Sequence, residues 1–293
     1  MNLGLRPVFQ LTLRSRPWVL GQRTQIMGIV NVTPDSFSDG GKWATHEAAV
    51  AHALRLVHAG ADILDIGGES TRPFSDPVPV EEELRRVLPV IESLRSHMDI
   101  PISIDTTKAE VAYRAIQAGA DIINDVSALR FDPEMGAVAA ETGVPLILMH
   151  MLGTPKTMQQ SPHYEALFSE IIRFLEERIH AAVSAGVDRT QIIVDPGIGF
   201  GKTVTHNLRL IRDLDALAVL ERPILLGASR KRFIGSILNA STEDREIGTA
   251  VANAFGIAAG AHILRVHDVT IQRQAALMAD ALREAFWSQD ANG

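Results

Sequence analysis

Cysteine is absent from the 293 residues, so no disulfide framework, zinc-thiolate site or thiol nucleophile is available and the fold must rest on packing alone. That suits a reducing cytoplasm, the compartment expected here. Positive charge is in deficit: 28 Lys and Arg face 35 Asp and Glu, and the net charge of -7 disfavours nucleic acid or a membrane as partner while leaving room for one local basic site. No compact apolar run stands before a small-residue cleavage site near the amino terminus, where Arg6, Arg14 and Arg16 are spread among apolar residues, so the start does not read as a signal peptide. The longest charge-free window, 247–264, holds Thr249, Asn253, His262 and a glycine-broken middle that hydrocarbon would penalise. It is expected to be a buried helix and the strand that follows. The ten His residues show no His-Glu-x-x-His spacing, and no Gly-x-Ser-x-Gly nucleophile elbow occurs.

What is present is an ordinary globular balance, 46% apolar and 22% charged, which excludes wholesale disorder. The length suits two common domains or one (β/α)8 barrel of roughly 250 residues with extensions. Short β-rich runs at 25–30, 63–66, 102–104, 122–123, 146–149, 192–194, 224–226 and 263–266 alternate with helical stretches such as 47–58, 81–95, 108–117, 164–184 and 271–286. Such alternation means parallel strands joined by right-handed crossovers. A phrase recurs where helix gives way to strand: Ala-Gly-Ala-Asp at 59–62 and 118–121, Ala-Gly-Val-Asp at 185–188 and Ala-Gly-Ala-His at 259–262. Its glycine supplies the left-handed cap that ends a helix before a tight turn. An open doubly wound sheet shows the same local units, but eight of them without a linker favour an α/β TIM barrel, (β/α)8, as one domain over 25–293. Residues 1–24 form a short N-terminal extension, expected to be a strand pair under the barrel with Gly21-Gln22 as a turn.

Barrel active sites gather at the carboxyl ends of the strands, so the residue after each apolar run is informative. Those residues are Asn31, Asp65, Asp105, Asn124, His150, Asp195, the loop 227–231, and Arg265 with His267. Helix capping competes as an explanation for each Asp and Asn, yet eight polar strand ends exceed what capping alone accounts for. Asp65 is assigned to capping, as a brace for the Gly67-Gly68 turn. The polar loop 31–41 is expected to close over a site and bring Phe37 and Asp39 to a substrate. A second loop, Gly-Gly-Glu-Ser-Thr-Arg-Pro at 67–73, presents Thr71 and Arg72 beside Pro73, an anion-binding pattern. The run 195–203 closes on Gly201-Lys202-Thr203 but has Pro196 where a phosphate loop needs glycine, and Lys202 stands where a dinucleotide fingerprint needs its third glycine. Its glycines are better read as a sharp turn that leaves Asp195 pointing inward. Ser229-Arg230-Lys231-Arg232 and Arg265-Val266-His267 put basic groups on the seventh and eighth strand ends, where barrels often bind phosphate. An anionic ligand is the consequence, and Mg2+ carried in by a diphosphate would need only one or two protein oxygens, such as that of Asn31.

The segments 27–41, 67–73, 195–202, 229–231 and 265–268 resemble, in order, the signature segments of the dihydropteroate synthases, over nearly the whole chain. The resemblance implies a homodimeric transferase of folate biosynthesis and a sulfonamide target, joining p-aminobenzoate to 6-hydroxymethyl-7,8-dihydropterin diphosphate with release of diphosphate. Carried over by motif, Asp105, Asn124, Asp195, Gly227, Lys231 and Arg265 hold the pterin. Asn31, Thr71, Arg72, Arg265 and His267 surround the diphosphate and its magnesium, with Asn31 the metal ligand. Phe37, Thr71, Pro73, Phe200 and Arg232 meet p-aminobenzoate, and Asp39, Lys231, Arg265 and His267 form the catalytic set. The implied reaction is dissociative, and a neutral aromatic amine as nucleophile needs no strong general base. Two positions depart from the family pattern, Phe74 where Gly is frequent and Arg232 where Ser is. Two rival readings share the barrel: a relative that binds pterin without catalysis, and a pterin-dependent methyltransferase. The basic set Arg72, Arg265 and His267 favours the synthase.

Overall fold

The computed structural model describes residues 6–14, 16–33, 41–70 and 77–284, with 41–45 described by backbone alone. The chain opens with an antiparallel hairpin, β1 (Phe9–Leu13) and β2 (Arg16–Leu20). The expected strand pair is there, but its reversal is not at Gly21-Gln22. Leu13 pairs with Arg16, so the chain turns at Arg14, whose φ is 45°. Gly21, at φ 116°, instead bends the chain from hairpin to barrel, because a Cβ there would lie 2.3 Å from the Pro7 carbonyl oxygen.

Eight parallel strands follow: β3 (Gln25–Asn31), β4 (Ile63–Gly67), β5 (Ile102–Asp105), β6 (Ile122–Asp125), β7 (Leu146–Met149), β8 (Ile192–Asp195), β9 (Leu225–Leu226) and β10 (Ile263–Val266). They hydrogen-bond in the order β8-β7-β6-β5-β4-β3-β10-β9. A parallel bridge from Val194 to Ile224, with the Val194 N–H on the Pro223 carbonyl at 2.9 Å, brings the two ends together into a TIM-like barrel. Around it lie α1 (Gly41–His58), α2 (Val80–His97), α3 (Ala109–Gln117), α4 (Met135–Thr142), α5 (Leu167–Ser184), α6 (Val204–Arg212), α7 (Arg232–Leu238), α8 (Glu246–Ala258) and α9 (Val269–Glu284). The repeated glycines Gly60, Gly119, Gly186 and Gly260 all have positive φ, as a left-handed cap requires.

Strand residues alternate in direction, and this alternation sorts the chemistry. Ile26, Leu64, Ile102, Ile104, Ile123, Val194 and Leu264 face the helices in the main core. The opposite set, Met27, Ile63, Ile122, Ile147, Ile193, Leu225 and Ile263, fills the lower barrel interior and packs against Leu11, Leu13 and Leu20 of the hairpin, which closes the bottom. One pleat higher, Ile63 gives way to Asp65, Ile122 to Asn124, Ile193 to Asp195 and Ile263 to Arg265. The mouth of the barrel is therefore polar and its floor apolar.

The charge-free window behaves differently from the expected buried helix. On α8, Ile247, Val251 and Phe255 are 78%, 55% and 46% exposed, whereas Thr249 and Asn253 are fully buried. The polar residues turn inward because partners wait there: Asn253 donates to the Gln272 amide oxygen at 2.8 Å, and Thr249 accepts the Arg230 N–H at 3.1 Å. Its apolar face shares a groove with Leu208, Phe233, Ile237 and Leu238. Among the described residues no helix is long and apolar enough to cross a membrane.

Candidate active site

At the mouth, Arg265 of β10 reaches across the barrel axis. Its Nε donates to Asp65 Oδ2 and its terminal nitrogen to Asp105 Oδ2, both at 2.6 Å. Burial opposes the guanidinium charge, but Asp65 and Asp105 outweigh it and hold the group firmly cationic. Asp65 also accepts the Asn124 amide nitrogen at 3.3 Å. Asp65 is thus no turn brace: it lies fully buried inside the barrel, joining a residue of β6 to one of β10. The reason is register, since Asp65 follows Ile63 on the inward side of β4 and a buried carboxylate needs cationic or N–H partners. Burial pushes the Asp105 carboxyl up to about 7; Arg265 opposes the rise and Asp65 adds to it. Its Oδ1 is buried without a protein hydrogen-bond partner, an acceptor facing a donor that the protein does not supply.

Asp195 ends β8. Its Oδ1 accepts the Gly197 N–H at 2.6 Å, which leaves Oδ2 as the freer acceptor beside Gly227. Burial pushes this carboxyl up to about 6, against the pull of the Gly197 hydrogen bond and of Lys231, Lys202 and Arg265. The turn that follows is possible only with glycine, because a Cβ on Gly197 would lie 1.9 Å from the His150 carbonyl oxygen and its φ is 68°. Phe200, at the top of this turn, packs with Val126, Met149, Met151 and Met158 into an apolar wall. Lys231, at the start of α7, carries its Nζ 4.1 Å from the centre of the Phe200 ring. Ser229 ties the seventh strand end to the eighth, with its Oγ 2.9 Å from His267 Nδ1 and accepting the His267 N–H at 3.1 Å.

The structure thus brings Asp105, Asn124, Asp195, Gly227, Lys231, Arg265 and Phe200 to one mouth, with His267 tied beside it by Ser229. Asn31 ends β3 in register with Gly67, whose own Cβ position would touch Asp105. Arg232 is exposed as the first residue of α7. Phe37, Asp39, Thr71, Arg72, Pro73 and Phe74 lie outside the described residues. Among the described residues no group of three or more His, Asp or Glu is placed to hold a metal. The single neutral oxygen of Asn31 fits a magnesium ion that arrives already ligated by phosphate oxygens. Lys202 was missed. It is only 4% exposed, which is rare for lysine, and its place in an abortive phosphate-loop pattern drew attention from the residue itself.

The family of pterin binding enzymes matches residues 27–267. Over 263 residues the chain is 50% identical to the dihydropteroate synthase of Synechocystis, a match that covers 89% of this chain and 91% of that protein. The chain belongs to the dihydropteroate synthases. Its activity is that of a dihydropteroate synthase in folate biosynthesis. Two solved dihydropteroate synthase structures from Xanthomonas albilineans, each 48% identical, share its fold. One, with 4-aminobenzoic acid, has a TM-score of 0.88 and covers 94% of this chain and 99% of its own. The other, in complex with 7,8-dihydropteroate, has a TM-score of 0.82 and covers 90% of this chain and 96% of its own.

Proposed function

We propose that the residues at this mouth join 6-hydroxymethyl-7,8-dihydropterin diphosphate to p-aminobenzoate, releasing diphosphate and 7,8-dihydropteroate. The observation that carries the reading is the acceptor pair of Asp195 Oδ2 and the unpartnered Asp105 Oδ1, set around the fixed cation Arg265. A pterin edge offers a line of N–H donors, which a carboxylate accepts in charge-assisted bonds. Asn124, with its amide nitrogen turned to Asp65, presents its oxygen to the ring, and Lys231 donates to the ring carbonyl.

Breaking the carbon–oxygen bond to diphosphate leaves positive charge in the pterin and negative charge on the departing group. Arg265, fixed by Asp65 and Asp105, and His267, tied to Ser229, are suited to that negative charge and need little reorganisation when it develops; Thr71 and Arg72 are assigned beside them by resemblance. Asn31 would hold, on the protein side, a magnesium ion entering with the diphosphate, and that ion would supply further counter-charge. The amine of p-aminobenzoate then attacks the pterin carbon and releases a proton to solvent, its ring against Phe200 and its carboxylate near Arg232, with Phe37, Thr71 and Pro73 assigned to the same ring by resemblance. Asp39 is assigned to the catalytic loop. A second copy of the chain covering the apolar face of α7 and α8 gives a homodimer, and a cysteine-free enzyme suits the cytoplasm. The test is direct: with both substrates, diphosphate and dihydropteroate should form in equal amounts. Tight pterin binding without diphosphate release would favour the non-catalytic reading instead.

A further inference from the structure

Lys202 and His150 are buried titratable groups beside the glycine turn that take no part in that scheme. Lys202 Nζ lies 2.9 Å from His150 Nδ1 and donates to the Phe200 carbonyl oxygen at 3.0 Å. Burial pushes the Lys202 amine down to about 7 while Asp195 holds it up; below that pH it is an ammonium with donors only, so the imidazole nitrogen facing it is the acceptor and His150 carries its proton on Nε2. The ring is held in that role from several sides. Phe174 meets it edge-on at 4.8 Å and Tyr164 at 6.0 Å, while burial together with Lys202 and Arg130 keeps it neutral. Tyr164 in turn donates to the Gly201 carbonyl oxygen at 2.9 Å, and Gln159 donates to that of Gly199. The carbonyls of Gly199, Phe200 and Gly201 are therefore each gripped from below by a side chain. Lys202 grips the middle one, the backbone of the residue whose ring meets Lys231.

We propose that Lys202 is a positioning residue for the amine-binding half of the site. Through the Phe200 carbonyl and His150, its amino group fixes the glycine turn so that the Phe200 ring stands against Lys231 in the orientation that receives the flat ring of p-aminobenzoate. A glycine-rich turn has little stiffness of its own, since Gly197, Gly199 and Gly201 all sit in the left-handed region and have no side chains to pack. Stiffness must come from outside, and a buried amino group held between His150 and the Phe200 carbonyl supplies it. The same ammonium adds to the positive field on Asp195, whose other charged neighbours are Lys231 and Arg265. A group serving packing alone would be better replaced by an apolar side chain, because burying a lysine costs stability that Met or Leu would not.

This inference rests on the reading of Phe200 as part of the p-aminobenzoate slot, so Phe200→Ala is measured in parallel with Lys202→Met. For Lys202→Met, the expected result is a folded enzyme with a modestly lowered melting temperature, since the Phe200 carbonyl and His150 Nδ1 lose their donor. The KM for p-aminobenzoate should rise about tenfold and that for the pterin diphosphate less than threefold, with Lys202→Arg recovering part of the loss. If Phe200→Ala leaves the p-aminobenzoate KM unchanged, the slot reading itself fails. If Phe200→Ala raises it and Lys202→Met does not, or if Lys202→Met raises both constants equally, the positioning role is overturned. A measurement on the unaltered protein stands beside these variants. At pH 6, where Lys202 is an ammonium, nitrogen-15 NMR should find His150 as the Nε2–H tautomer with Nδ1 unprotonated, and an Nδ1–H or imidazolium signal there would refute the pairing.

Discussion

Replacing Asp195 by Asn separates recognition from folding, because the two respond in opposite directions. Asp195 Oδ1 is already committed to the Gly197 N–H, and in the variant the amide oxygen takes that place since only it can accept. The NH2 group is then forced to where Oδ2 was, facing the N–H donors of the pterin. Loss of a charge-assisted hydrogen bond costs about 1.5 kcal/mol or more and a buried unmatched donor about 1 kcal/mol or more. Together these predict at least a ~70-fold loss of pterin affinity. Stability moves the other way. The folded carboxyl has its pKa raised from 3.8 to about 6, so its favourable contribution is complete below the lower value and is lost as pH rises through the upper one. At pH 7 the ionised group therefore costs the fold about 3 kcal/mol, most of which Asn relieves. Calorimetric titration with a pterin analogue and a melting curve at pH 7 read both effects. The parent's pterin affinity should also rise between pH 5 and 7, and the variant's should not. Unchanged affinity with a lowered melting temperature would refute the assignment and leave Asp195 as a turn cap.

His262, whose Nδ1 accepts the Ile224 N–H at 3.1 Å beneath the barrel, is held neutral by burial with its pKa lowered to about 4, so its contribution is complete above pH 6.5 and is lost as pH falls through 4. Melting curves should show about 3 kcal/mol of acid-labile stability that His262→Asn largely removes. Gly197→Ala, driven against the His150 carbonyl, should lose about 3 kcal/mol or more of stability in denaturant titration, and a normal midpoint would contradict the turn geometry. Dialysed enzyme should hold little magnesium by elemental analysis yet lose activity with a chelator; stoichiometric metal surviving dialysis would count against entry with the diphosphate. Ile247→Glu, at the most exposed position of the apolar face of α8, should convert the proposed dimer to a monomer in sedimentation, and an unchanged sedimentation coefficient would remove that face as the interface.

Strand order and the polar mouth were legible because both follow from short-range rules: a run of Ile, Leu and Val makes a strand, and the residue after it reaches the barrel opening. The glycine caps at Gly60, Gly119, Gly186 and Gly260 were legible for the same reason. Asp65 was not, because its partner Arg265 stands 200 residues away and nothing local distinguishes an inward carboxylate from a turn brace. On α8 the usual rule runs backwards. Thr249 and Asn253 find partners inside, so Ile247, Val251 and Phe255 are left on the surface, and composition alone could not reveal which face turns in. Lys202 was hidden by motif logic, since a failed pattern was read as an empty one.

Ile63 and Asp65, Ile122 and Asn124, Ile193 and Asp195, and Ile263 and Arg265 lie one pleat apart on the same four strands, so foldability and ligand choice are written on adjacent but separate layers. The hairpin leucines seal only the lower layer. A library randomised at the upper positions would keep that sealed floor and sample new ligand chemistry on an unchanged scaffold. Randomising the floor would sample mostly insoluble chains, with the upper layer never displayed. The barrel is evolvable from its mouth because its base is closed by residues that never meet the substrate.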